Sequence, residues 1–196
     1  MTPPDRNELL LIRHAPADHG GRLCGRRDVP GILPEAEALA PLRDWLAECP
    51  EVVTSPALRC RQTAGALFPG RDLPEDPALW EQDFGAHDGL RFDEIPDLGR
   101  LSRTDLADHR PPGGESFADM AARLRPAFAM LSERARQGGP LAVVAHAGTV
   151  RAALGLVLGE LPVGLGFEVA PLSVTRLRCF EGGVSVVATN WVGPGA

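Results

Sequence analysis

Short uninterrupted apolar runs alternate along the chain with longer stretches in which apolar residues recur every three or four positions. Glu8-Leu9-Leu10-Leu11-Ile12 and Leu141-Ala142-Val143-Val144-Ala145 are runs of the first kind. They are too short for a good helix and suit strands buried on both faces. Glu51-Val52-Val53-Thr54 predicts a third short strand. Pro34 to Glu48 has helical spacing, with Leu39, Leu42 and Leu46 on one face and Trp45 beside them. Ser55-Pro56 predicts a helix start, Ser as N-cap and Pro at the first helical position, which places Arg59 in the first turn or just past it. Asp76 to Trp80 reads as a weak extended stretch. Ser116, with Asp119 three residues on, predicts the start of a long helix carrying Phe117, Met120, Leu124, Phe128 and Leu131. Pro126 inside it is expected to bend or break it. Gly138-Gly139-Pro140 ends that helix, and Ala147-Gly148-Thr149 opens another, to about Leu158. Ser173 to Phe180 and Val184 to Thr189 read as strands joined across Glu181-Gly182-Gly183. The alternation predicts an α/β fold, a three-layer αβα sandwich around a mostly parallel central sheet.

At 196 residues the chain is expected to form a single domain over 1–196, with a core that needs neither disulfides nor metal. Within it, residues 82–113 break the pattern: Gly85, Gly89, Pro96, Gly99 and Pro111-Pro112-Gly113 make a long loop-rich segment, which in a compact domain is usually functional or mobile. No apolar run approaches the roughly 20 residues that cross a bilayer. The opening Met1-Thr-Pro-Pro-Asp-Arg-Asn-Glu8 has no signal-peptide pattern, so a cytoplasmic location is expected.

Charge narrows the chemistry. All 20 basic residues are Arg; there is no Lys. That excludes the Walker A loop and Schiff-base or pyridoxal chemistry. The net charge is −6, with Arg and acids interspersed, so neither nucleic acid nor a membrane surface is an expected partner. Cys24, Cys49, Cys60 and Cys179 form no Cys-x-x-Cys pair and no Cys-x5-Arg loop; reduced thiols are expected. The five His show no His-Glu-x-x-His pattern, and no Asp-x-Asp pair occurs. No structural metal and no cofactor are expected.

Three predicted strands end in or lead to ionisable residues at the switch to a helix: Arg13-His14, Arg59 and His146. Open α/β sheets bind ligands beyond the carboxyl ends of their strands. Two His and two Arg gathered there would cradle a dianion, since Arg forks match phosphate oxygens and the helix after His146 would add N–H dipoles. Singly, each of these residues is an ordinary structural feature. Their coincidence is what points to chemistry.

The residues themselves resemble a family. Leu11-Ile12-Arg13-His14-Ala15 is similar to the Arg-His-Gly signature of the histidine phosphatase superfamily, the phosphoglycerate-mutase-like proteins. Ser55-Pro56-Ala57-Leu58-Arg59-Cys60-Arg61-Gln62-Thr63-Ala64 resembles its second block, and Leu79-Trp80-Glu81-Gln82-Asp83-Phe84-Gly85 its third. Pro111-Pro112-Gly113-Gly114-Glu115-Ser116 resembles the fourth, and Val143-Val144-Ala145-His146-Ala147-Gly148 the strand with the second histidine. Five blocks in order span about residues 8 to 158. The resemblance implies a phosphoglycerate-mutase-like fold and a metal-independent reaction. His14 would attack phosphorus and become phosphohistidine. Arg13, Arg59 and His146 would hold the phosphoryl oxygens, and Glu81 would act as general acid and then base. Arg22 to Pro30 resembles the first substrate loop, so Cys24 and Gly25 are candidate substrate contacts, and so is Ala147 at the helix start.

Departures refine this. Ala15 stands where the family usually has Gly, as in relatives acting on protein phosphohistidine; those relatives tend to lack the Glu segment, so Glu81 points to small phosphorylated esters. Asp88 stands where Glu is frequent. Glu81 and His146 are 65 positions apart, without the longer insertion of true mutases, which favours hydrolysis. The expected function is a phosphomonoesterase of the histidine acid phosphatase type on a small phosphorylated metabolite. The alternatives are a phosphoglycerate mutase, an α-ribazole phosphatase (hinted at by Gly25-Arg-Arg-Asp-Val-Pro30), and a non-catalytic phospholigand-binding module. Segment 82–113 would cover the substrate. The oligomeric state is left open, a homodimer included.

Overall fold

The two faces of β1 (Glu8–Arg13) decide the layering. Leu9 and Leu11 belong to one apolar cluster, with Met120, Leu124, Val143 and Val150. Leu10 and Ile12 belong to another, with Leu42, Leu46, Cys60 and Val144. Successive strand side chains alternate faces, so a run without polar interruption needs cover on both sides. The computed structural model provides that cover. The structure describes residues 2–193; residues 1 and 194–196 of the expected domain lie outside them.

β1 is joined by β2 (Glu51–Thr54), β3 (Leu141–Ala145), β4 (Val174–Phe180) and β5 (Gly183–Trp191) in the order β2-β3-β1-β4-β5. β2, β3 and β1 run parallel. The β4–β5 hairpin adds on antiparallel to β1. Helices α1 (Ala36–Leu46) and α2 (Leu58–Leu67) pack on the Leu10/Ile12 face. A short α3 (Arg103–Asp108) precedes α4 (Phe117–Gly138) and α5 (Ala147–Leu158), which cover the Leu9/Leu11 face. The αβα sandwich with a parallel core is thus as expected. Among the described residues no helix is long and apolar enough to cross a membrane.

Four local expectations are corrected. Ser55 is not the N-cap of α2: the helix starts at Leu58, and the Leu58 N–H donates to Asp28 Oδ1 at 2.6 Å. A carboxylate from a distant loop satisfies that amide, which leaves the Ser55 hydroxyl available for other work. Asp76 to Trp80 is not extended. Asp76 Oδ1 accepts from the Ala78 N–H and Pro77 opens a single 3₁₀ turn, Pro77–Leu79. Pro126 does not break α4, which runs through it. Pro126 and Ala122, whose carbonyl loses its bond, both lie on the exposed face, where water replaces the bond. Segment 82–113 is less irregular than expected, holding 3₁₀ turns at Gly85–His87 and Phe92–Glu94 as well as α3.

Far from the strands' carboxyl ends, the sheet buries an ion pair. Arg176 on β4 donates from Nε to Glu8 Oε2 at 2.8 Å, with Glu8 fully buried and Arg176 2% exposed. The guanidinium also lies 5.4 Å from the Trp45 ring centroid. Without Arg176 the buried Glu8 carboxylate keeps only Arg178, whose Nη2 lies 3.4 Å from Oε1 on an exposed side chain, so most of its charge compensation is lost. Arg176→Met is expected to lower unfolding stability by about 3–5 kcal/mol in urea titration; a change under about 1 kcal/mol would contradict this account of the pair.

Candidate active site

Strand register brings the candidate residues together. β1 and β3 pair Arg13 with Ala145, and the ladder continues one step, the His14 N–H donating to the Ala145 carbonyl at 2.9 Å. His14 and His146 therefore leave adjacent strand ends side by side, ring centroids 5.1 Å apart and planes 69° to one another. Beyond β3, the Ser55 N–H donates to the Val144 carbonyl at 2.9 Å. That sets Ser55 Oγ 2.9 Å from His146 Nε2.

Arg59, 1% exposed in the first turn of α2, ties this edge together. Its Nε–H donates to His14 Nε2 (3.3 Å), and its Nη2 donates to His146 Nδ1 (3.2 Å) and the Gly25 carbonyl (2.9 Å). Its Nη1 donates to the Arg27 carbonyl at 3.0 Å. A guanidinium has no acceptor, so His14 Nε2 and His146 Nδ1 must present lone pairs. The tautomers follow. His14 carries its proton on Nδ1 and donates it to the Ala15 carbonyl at 2.6 Å. His146 carries its proton on Nε2 and donates it to Ser55 Oγ. Burial holds the His14 imidazole down at about 3, despite the opposing pull of the Ala15 carbonyl; the charges of Arg59 and Arg13 add to the depression. His146, fully buried, is pushed well below its ordinary value, first by burial and then by its neighbours His14, Arg59 and Arg13. Both rings are neutral near neutral pH.

Positive charge dominates the floor. Arg13 is half-buried; its Nη1 donates to the Val169 carbonyl at 2.6 Å, while its Nε is buried without a hydrogen-bond partner. Burial is the chief cause that lowers its pKa. Among the described residues neither Arg13 nor Arg59 forms an ion pair. Taking an unpaired ion out of water costs several kcal/mol. A bound anion would relieve both.

Glu81 reaches the same edge from the opposite side. Its Oε2 accepts from the Gly148 N–H, at the start of α5, at 3.3 Å, and its Oε1 accepts from the Gln82 N–H at 3.1 Å. A Cβ on residue 148 would sit 2.0 Å from Glu81 Oε1, so only Gly admits this approach. Arg123 on α4 fixes the segment before Glu81. It donates to the Ala78, Trp80 and Glu81 carbonyls and forks onto Glu115, 2.8 Å to each oxygen. Burial pushes the Glu115 carboxyl up, but the bonds from Arg123 and the Asp83 N–H outweigh it and hold the carboxylate below its usual range.

The remaining candidates sit on the rim. Gly25 is buried, its carbonyl held by Arg59 and its N–H donating to Asp88 Oδ1 at 3.1 Å. A Cβ there would meet the Gln82 carbonyl at 2.1 Å, so the loop needs Gly for close approach. Cys24 beside it is half-buried, its thiol 3.6 Å from the Arg22 carbonyl, and burial raises its pKa. Ala147 opens α5, where helix geometry leaves its N–H without an intrahelical partner. The structure thus gathers Arg13, His14, Arg59 and His146 into one cluster and places Glu81 against the start of α5.

Sequence reasoning missed several supports. Asp88 accepts from the Gly25, Arg26 and Arg27 N–H groups, holding the loop as a nest around one carboxylate. Thr63 Oγ1 accepts from the Ala15 N–H and donates to the Arg59 carbonyl, locking the segment after His14 to α2. The Trp80 ring stacks on His146, centroids 6.4 Å apart and planes 9° to one another, and Arg26 covers Trp80 at 5.5 Å. Thr63, Trp80 and Asp88 all lie in the five-block stretch, but the identity of a partner 40 or more positions away is not written in a local motif.

The profile of the histidine phosphatase superfamily (branch 1) matches residues 9–192. The chain is 32% identical to glucosyl-3-phosphoglycerate phosphatase of Mycobacterium tuberculosis, covering 79% of this chain and 76% of that one. It is 33% identical to a 2,3-bisphosphoglycerate-dependent phosphoglycerate mutase of Methylobacterium radiotolerans, covering 79% and 82%. It spans about half the length, 54%, of mycobacterial relatives that it matches at 33% identity over 94% of its own residues. Among solved structures, the mycobacterial glucosyl-3-phosphoglycerate phosphatase complexed with VO3 superposes with a TM-score of 0.81 at 26% identity, covering 94% and 99%. A putative α-ribazole-5′-P phosphatase from Escherichia coli shares the fold, at 21% identity and a TM-score of 0.81 over 97% and 99%.

Nitrogen-detected NMR at pH 6 is expected to find both rings neutral, His14 as the Nδ1–H tautomer and His146 as the Nε2–H tautomer; an imidazolium at either position would overturn the assignment. Stability should also fall in acid. The unfolded chain binds a proton at His14 near pH 6.5, the folded chain only near pH 3, so the unfolded state gains as pH drops through that window.

Proposed function

The chain belongs to the histidine phosphatase superfamily, and on that footing we propose that it hydrolyses phosphomonoesters of small metabolites through a phosphohistidine at His14. The observation that carries the reading is an aimed, unprotonated nitrogen. His14 Nε2 keeps its lone pair because Nδ1–H is committed to the Ala15 carbonyl, and burial keeps the ring uncharged. It lies against a guanidinium without a carboxylate partner, where a phosphoryl group would bind.

In the first step His14 Nε2 attacks phosphorus, the ester P–O bond breaks, and the Glu81 carboxylic acid gives its proton to the departing oxygen, releasing an alcohol. Arg59 Nε–H loses its acceptor as that lone pair becomes the N–P bond, and takes a phosphoryl oxygen instead. Arg13 Nε, buried and unpaired, takes another. The Arg59 Nε–His14 Nε2 bond, at 3.3 Å, is long, so exchanging it sacrifices little. His146, a lone pair already facing Arg59, orients that fork, and the Ala147 N–H adds a helix-start donor. In the second step the Glu81 carboxylate accepts a proton from water as the water attacks phosphorus. The N–P bond breaks, phosphate leaves, and His14 regains its lone pair.

A mutase is the second reading, favoured by the phosphoglycerate mutase relative at 33% identity. It differs only in which hydroxyl receives the phosphoryl group: water, or a second alcohol held in the site.

His14→Ala is expected to lower turnover of an aryl phosphate about 10³-fold or more and to abolish acid-labile, base-stable labelling of the protein by a radiolabelled ester; full activity would remove the assigned nucleophile. Glu81→Gln should cost about 10²–10⁴-fold with alkyl esters and far less with a p-nitrophenyl ester, whose leaving group needs no proton. Equal losses on both would remove Glu81 as the acid.

A further inference from the structure

Beside the cationic cluster lies a cavity of about 350 Å³, and its chemistry is the opposite of the cluster's. Nine of its thirteen lining residues are apolar, among them Phe84, Leu98 and Leu106; the polar ones are Gln82, His87, His109 and Arg151. Among the described residues no carboxylate lines it. The one permanent charge is Arg151, whose Nε is already bonded to the Phe167 carbonyl at 2.9 Å.

Three observations join the cavity to the cluster. Gln82 in its wall follows Glu81 directly, and Phe84 packs against Gly25, whose carbonyl binds Arg59. Arg151 lies one turn along α5 from Gly148, which binds Glu81. Arg151 and Arg13 hold carbonyls two residues apart, Phe167 and Val169. The cavity thus begins where the leaving oxygen of an ester would lie, on the Glu81 side. Its outer wall comes from segment 82–113, where Leu98 and Leu106 are 39% and 43% exposed. These side chains sit at the cavity instead of in either core cluster, so apolar contact there is left for another molecule to complete.

We propose that the cavity holds the alcohol part of the substrate and selects phosphomonoesters whose alcohol is apolar, a medium-length chain or a single ring, over polyhydroxylated ones. The selection follows from desolvation. A hydrocarbon gains about 0.8 kcal/mol for each methylene buried. A hydroxyl entering the apolar part of the wall, away from Gln82, His87 and His109, loses water without a hydrogen-bond partner. Arg151, Gln82, His87 and His109 are the polar members of the lining, and the leucine and phenylalanine side chains make up the rest with Ile95 and two prolines. This inference rests on the phosphomonoesterase reading.

The test is a homologous series, ethyl to octyl phosphate, whose leaving alcohols differ little in acidity, so that chain length reports burial alone. kcat/KM is expected to rise about two- to fourfold per methylene until the cavity fills, and hexyl phosphate to exceed a hexitol phosphate by at least about 100-fold. In Leu98→Asn and Leu106→Asn the rise per methylene should flatten. The slope is a ratio within one preparation and is independent of how much of a variant folds. A flat series, or a preference for the hexitol ester, overturns the inference while the phosphatase reading stands. No turnover of any ester, with no labelling of His14, overturns both.

Discussion

Two guanidiniums, one buried and one half-buried, neither in an ion pair among the described residues, are the constraint on which the active edge depends. In water each would be fully solvated; here burial lowers the Arg13 pKa and the fold gives Arg59 only carbonyls and imidazole lone pairs. Each neighbouring feature answers to that charge. The histidines stay neutral because a third and fourth cation would have to be solvated in the same small volume. Ser55 accepts from His146, so that His146 can turn its lone pair toward Arg59. The helix start at Ala147 adds dipoles of the same sign. The result is a positive floor on which a dianion would be held, beside a largely apolar cavity.

The parallel core makes this arrangement almost unavoidable. β2, β3 and β1 end at one edge, and the registers Thr54–Val144 and Arg13–Ala145 put Ser55, His146 and His14 in successive positions along it. A shift of one residue in β1 would exchange its two faces and bury Arg13 in the core. The antiparallel β4–β5 hairpin, with its buried Glu8–Arg176 pair, closes the side of β1 that carries no chemistry. Fold and site are therefore stabilised at different places.

Strands, long helices and the four cationic-cluster residues were legible in the sequence because each depends on local pattern: an apolar run, helical spacing, a motif at a strand end. What was not legible depends on distant partners. Ser55 reads as a helix cap because the local rule says so; the cap comes instead from Asp28, and that substitution frees Ser55 for His146. Gly148 reads as part of a helix start, but its lack of a side chain serves Glu81, 67 positions away. Pro126 should bend or break α4, yet the helix runs through it, on an exposed face. Segment 82–113 gives no strong period since its leucines pack against a cavity, which imposes none.

Arg59 grips the Gly25 and Arg27 carbonyls and both imidazoles from a single planar group. An ammonium on a flexible stem could not span four acceptors in fixed directions. The fork therefore welds the 25–27 loop to the two rings as one rigid body. The loop that carries Gly25 and the nitrogen of His14 thus share a single anchor.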